Sequence, residues 1–259
     1  MKQKLAKSNQ SVEKVLQIIE IMSESRKPMR LQDIALRAEL PASTTLRLVN
    51  TLLTHGYANQ DPETLRYTLS LKLTHIGSLV ASQVSIRDSA HPYLLELSHK
   101  CQEAACLAID ENMQVVYMDV VDGPDGMLKI TQRIGKVSPM HCTGIGKILM
   151  LNYTMNQVNQ YIALKGLTIF TPHTIATKND LLDELDTIRN QNYALDNEEC
   201  ELGARCIAAG IKDYSGKYVG GISISGPLSR MTIERMDVLK DIVIDTANKI
   251  SKLLSYQNL

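Results

Sequence analysis

The sequence predicts an α+β chain in two parts: a small helical head ending in a β-hairpin, and a larger body of helices packed around an antiparallel sheet. Three observations carry this. Apolar residues recur at helical spacing in three successive segments up to residue 53, two short β-like runs flank Asp61-Pro62-Glu63-Thr64, and from residue 104 onward strand-like and helix-like runs are mixed. At 259 residues, 44% hydrophobic and 22% charged, the chain is long enough for each part to bury a core of its own.

In the head, Ser11 is placed to cap a first helix, with Glu13 in the first turn where the helix dipole favours an anion. Val12, Val15, Leu16, Ile19 and Met22 fall on one stripe, and Arg26-Lys27-Pro28 ends the segment. A second short pattern, Leu31, Ile34, Ala35 and Ala38, stops at Glu39-Leu40-Pro41. The third starts there, proline being tolerated because first-turn N–H groups have no helical partner. Thr45, Leu48, Val49 and Leu52 form its expected buried stripe, which turns Ser43, Thr44 and Arg47 outward; Leu46 fits either side.

Two short helices separated by a tight turn form a helix-turn-helix, whose second helix enters the major groove of DNA. Residues 41–55 contain no acid and offer two small hydroxyls and one Arg able to grip guanine in a bidentate pair. After Gly56, the runs Tyr57–Gln60 and Leu65–Leu69 around the Asp-Pro turn make a hairpin, hence a wing, from which Arg66 or Thr64 reaches phosphate or minor groove. A small helical bundle that binds a protein is the competing interpretation.

Leu71, Leu73, Ile76, Leu79 and Val80 continue as an amphipathic linker helix, and a further helix runs from about Ile86 through Tyr93, Leu94 and Leu97. The body then reads as strands at Ala104–Asp110, Val115–Val121 and Met127–Arg133, with a turn at Gly123-Pro124-Asp125-Gly126. Helices are expected near Thr143–Leu151, Met155–Leu164 and Asn179–Asn190. Strands follow at Tyr193–Asp196, Ala204–Lys212 and Tyr218–Ser225, and a long helix, Ile233–Leu254, closes the chain. The resulting division is 1–70 for the head, 71–85 for the linker helix and 86–259 for the body.

Composition narrows the functional classes. No apolar run could span a bilayer, and Met1–Lys7 is basic with no apolar stretch behind it, so a cytoplasmic protein with no membrane partner is expected. The five cysteines, Cys101, Cys106, Cys142, Cys200 and Cys206, include no CxxC pair and read as free thiols. Net charge is zero, yet residues 1–76 carry 11 Lys/Arg against 7 Asp/Glu and the remainder 17 against 21. A mildly basic head on a mildly acidic body suits a DNA reader joined to a sensor.

At this point the chain resembles the isocitrate lyase regulator (IclR) family of bacterial transcription factors, from about Ser11 to about Leu254. In the head the resemblance lies in Ser11-Val12-Glu13-Lys14-Val15-Leu16, Leu40–Leu48, Gly56-Tyr57 and Tyr67-Thr68-Leu69. In the body it lies in His141-Cys142-Thr143-Gly144-Ile145-Gly146-Lys147, Asp196–Glu199 followed by Gly203–Cys206, and Ile222–Pro227. The resemblance implies a winged helix-turn-helix joined to a GAF/PAS-like effector-binding domain. It also implies a double-stranded DNA operator, a homodimer or dimer of dimers, and a small organic ligand that alters DNA binding. Ala42 and Thr45 depart from the family, which often has Lys or Arg at the first position and a β-branched apolar residue at the second.

Two candidate sites result. Ala42, Ser43, Thr44, Leu46 and Arg47, with Arg66 in the wing, are the candidate DNA contacts. By the resemblance, the effector lies against Gly144, Ile145, Asp196, Ala204, Cys206, Ser223 and Ser225. The chemistry is consistent: a glycine-bearing helix start favours a carboxylate, and serines at i and i+2 of a strand share a face. The same residues also have plain structural uses, the glycines for close packing and Asp196 as a turn cap. The expected function is a ligand-responsive regulator, a repressor rather than an activator, sensing a small organic acid or sugar-derived hydroxy acid, with no cofactor and no enzymatic activity. A metal or redox sensor using Cys and His, and a thiol enzyme, remain as alternatives.

Overall fold

A computed structural model describes residues 9–25, 27–83, 85–123 and 132–254, with side chains left undescribed within 78–83. The chain forms two compact units, Met1–Val84 and Ser85–Leu259.

The first unit holds α1 (Gln10–Glu24), α2 (Leu31–Arg37), α3 (Ala42–Thr54), the hairpin β1 (Ala58–Gln60) and β2 (Tyr67–Leu69), and α4 (Lys72–Gln83). Asn9, not Ser11, caps α1: its Oδ1 accepts from the Ser11 amide at 3.0 Å. Both residue types cap well, and the chain enters the helix two residues earlier than the apolar pattern suggests. The buried face of α1 is also rotated from the expected stripe. Ile18 and Met22 are buried, with Val15, Ile19 and Ile21 packed partly against them, whereas Val12 and Leu16 are more than half exposed. Apolar residues at 12, 15, 16, 18, 19, 21 and 22 cover most of the helix circumference, so two phases satisfy the 3.6-residue period and packing selects one.

On α3 the expected stripe is the buried one: Thr45, Leu48, Val49 and Leu52 face the core made with Ile18, Ile34 and Tyr67. The wing is pinned to the helices by backbone pairing. Met29, in the α1–α2 connection, exchanges two hydrogen bonds with Tyr67 at 3.0 and 2.8 Å, adding a third short rung beside β1–β2. The start of α4 is tied to the same unit by Lys72, whose ammonium donates to the His55 carbonyl at 2.8 Å and sits 4.5 Å over the Tyr57 ring.

The second unit is built on a six-stranded antiparallel sheet in the order β5-β4-β3-β8-β7-β6. Its strands are β3 (Ala104–Asp110), β4 (Val115–Val121), β5 (Val137–Ser138), β6 (Ala194–Asn197), β7 (Ala204–Lys212) and β8 (Tyr218–Pro227). One face carries α5 (Ile86–Cys101) and α9 (Ile233–Leu253); the other carries α6 (Gly144–Met150), α7 (Met155–Lys165) and α8 (Lys178–Gln191). The two-residue period of the strands sorts the side chains. Ala105, Leu107, Ile207, Ala209, Ile222 and Ile224 pack under α5 and α9, which sends Cys106, Ala108 and Ala208 to the α6 side. Ser223 and Ser225, the alternate residues of β8, go the same way.

The two-residue strand β5 has no counterpart in the sequence reading. The basic segment Met1–Lys7, most of the turn at 123–126 and the strand expected at Met127–Arg133, apart from its last two residues, which form no strand, lie outside the described residues. So do Arg26 and the side chains of Leu79 and Val80. No described helix is long and apolar enough to cross a membrane.

Candidate functional site

The first unit presents one exposed helix face. Ala42, Ser43, Leu46 and Arg47 are exposed at the start of α3 and Thr44 is half-buried. Leu46, which the sequence left undecided, is 39% exposed and therefore belongs to the outer surface. Arg66 is half-buried, and its Nη1 donates to the Pro28 carbonyl at 3.2 Å. Part of its donor set thus steadies the wing against the α1–α2 turn.

The second unit holds a cavity of about 60 Å³ between the start of α6 and the sheet. All seven residues named from the sequence, Gly144, Ile145, Asp196, Ala204, Cys206, Ser223 and Ser225, line it. Strand register explains the grouping: Cys206 pairs with Ser225 across β7–β8, and Asp196 pairs with Cys206 across β6–β7. The alternation that buries Ile207, Ile222 and Ile224 on the far face leaves these polar side chains facing α6.

Asp196 serves the fold first. Its Oδ1 accepts from the amides of Glu199 and Cys200 at 2.8 and 3.2 Å, closing the turn after β6. Burial raises its pKa to about 6 against the opposing pull of those two amides. Cys206 is pushed up to about 12, by burial first and by the nearby Asp196 second, while the hydroxyls of Ser225 and Ser223 oppose the shift. Such a thiol is a poor nucleophile at neutral pH.

The glycines of α6 have a packing role as well as a place at the cavity. A Cβ on Gly146 would come within 2.4 Å of the Met140 backbone, and one on Gly144 within 2.9 Å of the Ala208 Cβ. Thr143 directs its hydroxyl to the Pro139 carbonyl at 2.6 Å and gives no side-chain cap to α6. Among the described residues, no side-chain hydrogen bond caps the start of α6, which lines the cavity through Gly144 and Ile145.

Several lining residues have no signal in the sequence. Tyr117 comes from β4, Gln132 stands near the end of the segment expected as a strand, where none forms, and Lys136 belongs to the loop before β5. The Oε1 of Gln132 is buried without a hydrogen-bond partner, so the wall holds an acceptor awaiting a donor. Arg205 lay inside a quoted motif but was not singled out. Its Nε donates to Asn197 Oδ1 at 2.7 Å and its Nη1 to the Met231 carbonyl at 3.0 Å, anchoring it at the cavity wall.

Lys147, one turn into α6, is fully buried and turned away from the cavity. It donates to Glu199 Oε1 at 2.6 Å and Glu184 Oε1 at 2.9 Å. Burial opposes its charge, and the two carboxylates outweigh that, holding its pKa above the ordinary lysine value. Glu199 is itself raised to about 7, chiefly by burial, with Lys147 pulling the other way. His141 is equally committed: its Nδ1 lies 2.8 Å from the Tyr161 hydroxyl and its Nε2 3.1 Å from the Thr168 carbonyl. Among the described residues, no His, Cys, Asp and Glu side chains come together as a metal site, and the cysteines are free.

A winged helix-turn-helix joined in one chain to an α+β unit with a polar-walled cavity defines a class: transcription regulators that combine a DNA reader with a sensor. Comparison with known proteins narrows it. The family model for the bacterial transcriptional regulator IclR C-terminal domain matches residues 78–252, and that for the IclR helix-turn-helix domain matches residues 11–62. The HTH-type transcriptional regulator KdgR of Escherichia coli is 34% identical over 249 residues, covering 96% of this chain and 94% of its own. The HTH-type transcriptional repressor AllR of the same organism is 30% identical over 248 residues, covering 96% and 91%. The crystal structure of Thermotoga maritima IclR matches with a TM-score of 0.63 at 28% identity, over 95% of this chain and 99% of that one. The chain belongs to the IclR family of bacterial transcriptional regulators. It is a DNA-binding regulator and not an enzyme, which removes the thiol-enzyme alternative.

Proposed function

We propose that this regulator acts by repression and that its cavity binds a small organic acid or sugar-derived hydroxy acid which alters operator binding. The observation that supports this most is the make-up of one cavity wall. The start of α6, which no side-chain hydrogen bond caps, lines the cavity with Ser223 and Ser225, which both donate and accept, and with Asp196 and the unpartnered Gln132 oxygen, which accept. A carboxylate is favoured at the first, and ligand hydroxyls at the others. In the head, Ala42, Ser43, Thr44, Leu46 and Arg47 meet DNA, and the donors of Arg66 not engaged by Pro28 reach the backbone. The repressor sense follows the name of AllR. The working form is a homodimer or dimer of dimers in the cytoplasm, since a symmetric operator is read by paired heads.

The test is a fluorescence-anisotropy titration against duplexes from upstream of the protein's own gene, at two salt concentrations, with a panel of hydroxy and keto acids. Sequence-selective binding that one acid weakens is the expected result. Selective binding indifferent to every acid would overturn the effector class and leave the DNA reader standing.

A further inference from the structure

The exposed face of α3 carries polar groups outside the set read from the sequence, Asn50 among them. Ser43, Leu46, Arg47, Asn50, Thr51 and Thr54 border an open concavity of about 400 Å³. Two of its hydroxyls already donate into the helix, Thr51 to the Arg47 carbonyl at 3.0 Å and Thr54 to the Asn50 carbonyl at 2.9 Å. Among the described residues, the Arg47 guanidinium and the Asn50 carboxamide have no partner within the chain. Both keep every donor and acceptor for what enters the groove, and no acid on α3 competes for them.

Residues three apart on a helix stand on one face with Cβ atoms about 5–6 Å apart. Successive base pairs of B-DNA are about 3.4 Å apart along each strand. Arg47 and Asn50 thus address pairs one or two steps from each other. We propose that Asn50 is a specificity-determining residue that reads adenine, its amide NH₂ donating to N7 and its oxygen accepting from the N6 amino group. Guanine offers two acceptors on the same edge and would leave the carboxamide oxygen facing an acceptor. A phosphate would use only the NH₂. The adenine edge alone matches both halves of the side chain. The operator half-site therefore carries an adenine one or two pairs from the guanine taken by Arg47. This rests on α3 being the helix that enters the major groove.

The experiment selects binding sites from randomised duplexes with the full-length chain and with Asn50→Ala, Asn50→Gln and Arg47→Ala. The parent is expected to enrich the paired guanine and adenine. Asn50→Ala should lose the preference at the adenine alone, by about 5- to 150-fold, and keep the guanine. Asn50→Gln, which retains the paired donor and acceptor, should restore part of it. Replacing that adenine by 7-deazaadenine should weaken the parent and leave Asn50→Ala unaffected. A uniform loss of affinity over all sequences, or an unchanged motif in Asn50→Ala, overturns the assignment while DNA reading stands. A parent that enriches no motif overturns the assignment together with the reading beneath it.

Discussion

Asp196 holds a turn together with one oxygen while sitting in the wall of a cavity, and the two uses conflict in electrostatics. Its carboxyl titrates near 6 because burial disfavours the charge. A folded-state pKa above the unfolded value means that the native state holds its proton more tightly. The associated stability is fully present below about pH 4 and is lost as the pH rises through about 6. Asp196→Asn keeps the acceptor for the Glu199 and Cys200 amides and removes the charge. Its melting temperature should exceed the parent's at pH 7.5 and converge with it near pH 4. A gap independent of pH would show that burial of the charge is not the cause. Lys147 is the opposite case, a buried charge fully matched, and Lys147→Ala strands two carboxylates. About 3–5 kcal/mol of stability should be lost in chemical denaturation at neutral pH. None of this is legible along the chain, because the partners of Lys147 stand 37 and 52 residues away.

At the scale of elements, α3, β3, β4 and β7 could be read closely from sequence because breakers bound them and their apolar period has one solution. The α1 helix could not be phased, since its surplus of apolar residues allows two buried faces. The short β5 escaped because two residues carry no period at all. The cavity shows the same division. Ser223 and Ser225 follow from alternation on β8 and the family motif, whereas Gln132 and Lys136 arrive from a loop whose course only tertiary structure determines. The α6 glycines were legible as a motif but ambiguous in purpose, and geometry assigns Gly146 to packing. Gly146→Ala must displace the Met140 backbone, so a loss of about 1–3 kcal/mol is expected. A Gly146→Ala chain with the parent's melting curve would show that α6 can retreat from the sheet without penalty.

Across the whole molecule, a reader and a cavity sit in separate compact units of one chain, Met1–Val84 and Ser85–Leu259. If a ligand in the second unit alters DNA binding by the first, thermodynamics requires the converse with equal strength. An acid that weakens operator affinity about tenfold should bind the operator-saturated protein about tenfold more weakly than the free protein. Calorimetric titration of the acid into both forms measures this directly. Equal affinities would place the ligand's effect outside equilibrium DNA binding.

The size of the cavity bears on speed. About 60 Å³ accommodates a few water molecules and is tight for an acid of six carbons. If the wall between α6 and the sheet parts before such a ligand enters, that opening has a rate of its own. In stopped-flow mixing, the observed rate should level off as the acid concentration rises instead of climbing in proportion to it. The plateau is then the frequency at which the unliganded regulator opens, and it limits how quickly a cell could register the arrival of the signal.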